Sequence, residues 1–159
     1  MTERSAIENT TLPISENSRE IVAKMKNHNL LALGKGENDM NNKDIYLLAV
    51  AMGLDNPTEQ MIKPESWTRV VNFSEKDKAL IISALLGTAG STDEIEEYCD
   101  LNNAISYCKK FTDAGFEEID RIAADVKYNP ELLVRKMLNY VDEIYDDVVG
   151  NLLDKDETI

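Results

Sequence analysis

The stretch NPELLVRKMLNYVDEIYDDVVG, residues 129–150, carries the pattern that decides the fold. Asn129 can cap a helix. Pro130 suits the first helical position, where its missing N–H would go unsatisfied anyway, and Glu131 meets the positive end of the helix dipole. Leu133, Met137, Tyr140, Ile144 and Val148 follow at steps of four, three, four and four. That spacing places them on one helical face, with Asp142, Glu143, Asp146 and Asp147 on the outer side. Gly150 is the expected stop, and Asp154-Lys155-Asp156-Glu157 reads as a solvated tail.

The same grammar recurs upstream. Ser91 and Glu94 form a capping box for a helix carrying Ile95, Tyr98, Leu101, Ile105, Cys108 and Phe111, with Gly115 beyond its end. A short helix from Glu117 to Val126 follows. Ser74 with Asp77 opens another helix, whose broad face holds Ala79, Leu80, Ile82, Ser83, Leu85 and Leu86 as far as Gly87. Asn41 or Asn42 caps a helix carrying Ile45, Leu48, Ala49 and Met52, ended by Gly53 and Asn56-Pro57. A first helix spans Ser15 or Ser18 to about Asn29, with Ile21, Val22 and Met25 as its stripe.

Residues 55–72 break the pattern. Pro57 and Pro64 exclude a long helix, and Trp67-Thr68-Arg69-Val70-Val71 is rich in strand-forming types. The expectation is a short extended clip over the helices, or a small ribbon with residues 59–63. The predicted fold is mainly α: a compact bundle of five or six helices with one short extended or β segment near residues 67–72. Residues 1–14 read as a flexible arm, 15–150 as one helical domain and 151–159 as a flexible acidic tail. Core candidates are Ile45, Leu48, Met52, Leu80, Leu85, Ile105, Leu133, Met137 and Ile144.

At 159 residues the chain can bury a core of its own. No apolar run approaches the ~20 residues of a membrane span, and Met1-Thr2-Glu3-Arg4 lacks the apolar heart of a secretion signal. With two cysteines only, the expected compartment is the reducing cytoplasm. Cys99 and Cys108 fall in one expected helix, on opposite faces and too far apart to bridge. They read as half-buried thiols packed as small hydrophobes.

The formal charge of −13 is uneven. Residues 1–90 hold 10 basic and 12 acidic side chains, while residues 91–159 hold 7 and 18. Phosphate repulsion therefore opposes direct nucleic-acid binding through the C-terminal half. Such a surface either stays solvated or docks onto a basic surface of a partner.

Few catalytic constellations are open to a chain with one histidine, His28, which has no cysteine nearby in sequence. A structural zinc site needs about four Cys or His ligands, and three such residues exist. Gly34-Lys35-Gly36 lacks the rest of a phosphate loop. Asp39-Met40-Asn41-Asn42-Lys43 begins like a calcium loop but has Asp44 where glycine belongs and Val50 where the closing glutamate belongs. The carboxylate clusters Asp93, Glu94, Glu96, Glu97 and Asp142, Glu143, Asp146, Asp147 leave an acid pair or a magnesium site open. No cofactor is expected.

Two segments resemble a known family. Lys43-Asp44-Ile45-Tyr46-Leu47-Leu48-Ala49-Val50-Ala51-Met52-Gly53 is similar to the first signature of the small proteins that accompany bacterial DNA phosphorothioation systems (Dnd system-associated protein 4). Phe73-Ser74-Glu75-Lys76-Asp77-Lys78-Ala79-Leu80-Ile81-Ile82-Ser83-Ala84-Leu85 resembles that family's helix after an extended link. Ala104-Ile105-Ser106-Tyr107-Cys108-Lys109-Lys110-Phe111-Thr112-Asp113-Ala114-Gly115-Phe116 is a third echo. The resemblance spans about residues 41–120. It implies a component of a phage-defence or DNA-modification system, and carries over no catalytic residue.

The expected function is a non-enzymatic accessory subunit that binds a larger protein, with Tyr140, Asp142, Glu143, Tyr145, Asp146 and Asp147 as the contact surface. The rivals are an acidic DNA mimic that inhibits a DNA-binding enzyme, and a carboxylate-magnesium enzyme.

Overall fold

Each helix starts where a short polar side chain takes up loose backbone N–H groups. The computed structural model describes residues 9–31, 41–58 and 61–156, with side chains as far as Glu143. Ser15 caps α1 (Glu16–Asn27), and Asn41 caps α2 (Asn42–Met52). Ser74 and Asp77 complete both halves of a capping box at α3 (Glu75–Thr88). Ser91 caps α4 (Thr92–Cys99), Asp100 caps α5 (Leu101–Asp125), and Asn129 accepts from the Leu132 amide at the start of α6 (Pro130–Asp156). These bonds satisfy amides that have no intrahelical acceptor. The described residues thus hold six helices and one two-stranded ribbon, a mainly α bundle.

Three helix boundaries differ from the sequence reading. The helix expected from Ser91 to beyond Phe111 breaks at Asp100, whose carboxylate accepts from the Asn103 amide at 3.0 Å and starts α5 anew. The apolar spacing runs on through the break, which hides it from a periodicity argument. α5 then passes straight through Gly115 and absorbs the short helix expected from Glu117 to Val126. At the C-terminal end α6 likewise runs through Gly150 to Asp156. Cys99 and Cys108 therefore sit on different helices, the first exposed and the second buried, rather than on two sides of one.

The partner of the extended segment was also misplaced. β2 (Glu65–Arg69) pairs antiparallel with β1 (Thr11–Ile14), a segment expected to be part of a loose arm; of the expected partner 59–63, only 61–63 are described, and they form no strand. Pro13 has no N–H to give, and the register shifts between Leu12 and Pro13. The ribbon persists because Leu12 and Ile14 are fully buried and the Trp67 ring meets Phe116 edge-on at 5.8 Å. A 3₁₀ turn, Val70–Asn72, leads from β2 to α3.

α5 is the central element, in contact with α1, α2, α3, α4, α6 and β1. Its crossing with α2 brings backbone against backbone. A Cβ added to Gly115 would overlap the Ala49 carbonyl oxygen and stand 2.5 Å from the carbonyl carbon. One added to Gly53 would overlap the Phe111 carbonyl and stand 2.7 Å from the Gly115 nitrogen. Gly115 thus serves backbone-to-backbone approach and not helix termination.

Ile45, Leu85, Ile105 and Leu133 are buried as expected, and Leu48, Met52 and Met137 are partly buried against the core. Leu80 is 53% exposed, and its place in the core is taken by Ile81. α3 is apolar on most sides, so sequence phase could not choose its inner face. A tertiary tie chooses it. Lys43 donates to Asp77 Oδ2 at 2.8 Å, turning Asp77, Ile81 and Leu85 toward the body. Ile144 lies outside the residues whose side chains are described.

Candidate functional site

Of the six expected contact residues, Asp142 and Glu143 are exposed on α6 and Tyr140 is half-buried beside them. Tyr145, Asp146 and Asp147 lie outside the described side chains. The structure adds a distinction that the sequence does not contain: which carboxylates are already neutralised.

About half of the described acidic groups outside α4 carry an internal counter-charge. Glu16 meets Lys63 at 2.6 Å, Glu65 meets Arg19 at 3.1 Å, and Asp120 meets Lys24 at 3.0 Å. Asp77 meets Lys43 at 2.8 Å, and Asp125 meets Lys136 at 2.7 Å. Glu118 is held by Arg121. The Lys43 ammonium and the two Ser74 donors hold the Asp77 carboxyl below the ordinary carboxylate range. Arg121 does the same for Glu118.

α4 is different. Asp93, Glu94, Glu96, Glu97 and Asp100 are all exposed. None of them stands within ion-pair distance of a lysine or arginine among the described residues. Their hydrogen bonds are to neutral donors. Glu94 accepts from the Gly90 amide at 2.7 Å, and Glu97 from the Tyr107 hydroxyl at 2.6 Å. The hydrogen bond to Glu97 holds the Tyr107 phenol above its ordinary value. Tyr98 is the one buried residue of α4. It meets Tyr107 edge-on at 5.0 Å and so fixes the helix with its acidic side outward. Behind it lies an open cavity of about 360 Å³ between Leu54, Thr88, Tyr98 and Tyr107, with Lys110 Nζ 4.5 Å above the Tyr107 ring.

A second polar cluster is internal. Ser18 Oγ donates to Asp113 Oδ1 at 2.6 Å, and the Ser15 amide donates to the same oxygen at 3.4 Å. This bond set fastens the start of α1 to α5. Ser18 is fully buried, so its hydroxyl faces no substrate. His28 stacks on Tyr128 at 4.8 Å, and Tyr128 donates to Asp120. Burial pushes the Cys108 thiol up to about 12. Among the described residues no group of three or more His, Cys, Asp or Glu side chains could hold a metal ion. Nor is any described helix long and apolar enough to cross a membrane.

The third feature is apolar. Leu31, Leu48 and Met52 form one wall of an open groove of about 290 Å³, and Val134, Leu138 and Val141 of α6 form the other, with Met137 between them. No described polar residue lines it. Sequence reasoning missed this groove because it assigned α6 a single apolar face. No protein-family model, curated protein or solved structure matches this chain.

Proposed function

We propose that this protein is a non-enzymatic accessory subunit that docks onto a basic surface of a larger protein. The observation that carries the reading is α4, whose carboxylates cluster on one exposed side with no counter-charge among the described residues, while about half of those elsewhere on the body have one. Unneutralised charge on a rigid helix repels its own kind and costs stability, which a cationic partner would recover on binding. Asp142 and Glu143 extend the same negative field onto α6. The resemblance of residues 41–120 supports a partner within a phage-defence or DNA-modification assembly.

The test is co-purification from the native host with Asp93→Lys/Glu96→Lys as the control. Both positions are exposed, so the fold should survive. A stoichiometric partner is expected with the natural chain, weakened by salt and lost with the variant. A partner retained undiminished by the variant would remove α4 from the interface, and no partner at all would remove the reading. The same exposed row also favours a second reading, a DNA mimic. In that case duplex DNA would compete for the captured partner.

A further inference from the structure

α6 presents a row of large apolar side chains left exposed among the described residues. Leu133 anchors it to the body, and Met137 is partly buried. On the neighbouring stripe Val134, Leu138 and Val141 remain 45%, 60% and 57% exposed. Their steps of four and three continue in the sequence through Tyr145, Val148 and Leu152. An alternating four-three repeat is the seam of a helix that pairs with another helix. The stripe at Leu133, Met137 and Tyr140 is a separate one, about 100° further round. Among the described residues α6 therefore carries an apolar stripe that the body leaves largely exposed.

We infer that α6 pairs antiparallel with α6 of a second copy of this chain, each helix lying in the other's groove. The choice of occupant comes from charge. Arg135 and Asp142 each follow an inner position of the seam, Val134 and Val141, so both stand on the same flank. In an antiparallel pair that flank faces itself. Setting Leu138 against Val141 of the second copy brings Arg135 within about 3 Å, along the axis, of Asp142 of the second copy. Two-fold symmetry makes the contact twice. A parallel pair would instead set this flank against the positions of Met137 and Ile144, which offer no charge. A uniformly basic helix from another protein would set like charge against Arg135. Neither Arg135 nor Asp142 has an ion pair among the described residues, whereas the adjacent Lys136 is held by Asp125. The inference does not rest on the docking role of α4.

Sedimentation velocity on the full chain from about 2 to about 200 µM tests it, since a reversible dimer populates with concentration. A monomer–dimer equilibrium is expected. Leu138→Asp replaces an exposed side chain, so helicity and melting temperature should hold while association weakens at least about tenfold. Arg135→Asp should also weaken it, and Arg135→Asp/Asp142→Arg should regain most of the loss. Monomer throughout, or a dimer indifferent to Leu138→Asp, overturns the pairing. A double variant no tighter than the single one overturns the antiparallel arrangement.

Discussion

Gly115→Ala is the substitution that most directly tests the architecture. Two effects oppose each other. In mid-helix, alanine is favoured over glycine by about 1 kcal/mol. Against that, the new Cβ would overlap the Ala49 carbonyl oxygen and stand 2.5 Å from its carbon and 2.9 Å from its Cα. These are backbone atoms, which no rotamer change can move aside. α2 and α5 must separate, and the buried neighbours Tyr46, Ala49, Cys108 and Phe111 lose close contact together. Ordinary overpacking costs about 1–3 kcal/mol, and here the rigid neighbour puts the cost above that range. The expected net loss is about 3 kcal/mol or more, a fall in Tm of at least about 6–12 °C for a chain of this size. Gly87→Ala is the internal control. Gly87 lies in α3 with nothing within 4 Å of an added Cβ, so the same chemical change should stabilise by about 0.5–1 kcal/mol. Thermal and urea unfolding of both variants decide the matter. Gly115→Ala unfolding at or above the natural chain would refute the close crossing, and with it the central place of α5.

Other expectations follow from single contacts. Asp77 Oδ2 accepts from Ser74 N, Ser74 Oγ and Lys43 Nζ, all at 2.8 Å, so Asp77→Ala should cost about 2–3 kcal/mol in urea unfolding at neutral pH. Because the folded carboxyl sits below its ordinary value of 3.8, that contribution is present above about pH 4 and lost as pH falls through the folded value. The variant should then match the natural chain in acid, and a gap that stays constant there would exclude the ionised carboxylate as its source. The Tyr46 hydroxyl is buried without a partner in hydrogen-bonding geometry among the described residues, with Thr112 beside it. Tyr46→Phe should therefore be neutral or stabilising by up to about 1 kcal/mol, and a loss of more than that would show a hydrogen bond there. A thiol reagent at neutral pH should label Cys99 alone, since Cys108 is buried and its thiol held up to about 12. Rapid labelling of both would mean that α5 opens readily.

What could be read from the sequence was what is local. Caps at Ser74, Asn41 and Asn129 lie within three residues of the amides they satisfy, so their residue types announce them. The acidic clusters were equally visible as a composition. What escaped was set at long range. Gly115 has the composition of a stop, and only Ala49, on another helix, shows it to be a contact. β2 was legible as an extended segment, yet its partner begins at Thr11, in a stretch that reads as a flexible arm. The inner face of α3 was ambiguous because five of six successive residues, Ala79 to Ala84, are apolar and the sixth is the small Ser83. For the site, the count of carboxylates was plain but their counter-charges were not. Lys24 with Asp120 and Lys63 with Glu16 are tertiary pairs, and α4 stands out only once these are known.

The ribbon has a consequence for the order in which the chain acquires its structure. β1 leaves the ribosome before β2 exists, and Thr11 must wait for Arg69, its Cα partner, to emerge. Through that interval Leu12 and Ile14, fully covered in the finished molecule, have no surface to lie on. Closing so wide a loop gains little until the helices have assembled beneath it. The ribbon is therefore expected to be the last seal on the core, and shortening the chain to begin at Ser15 would leave the Trp67 side of the molecule without its cover.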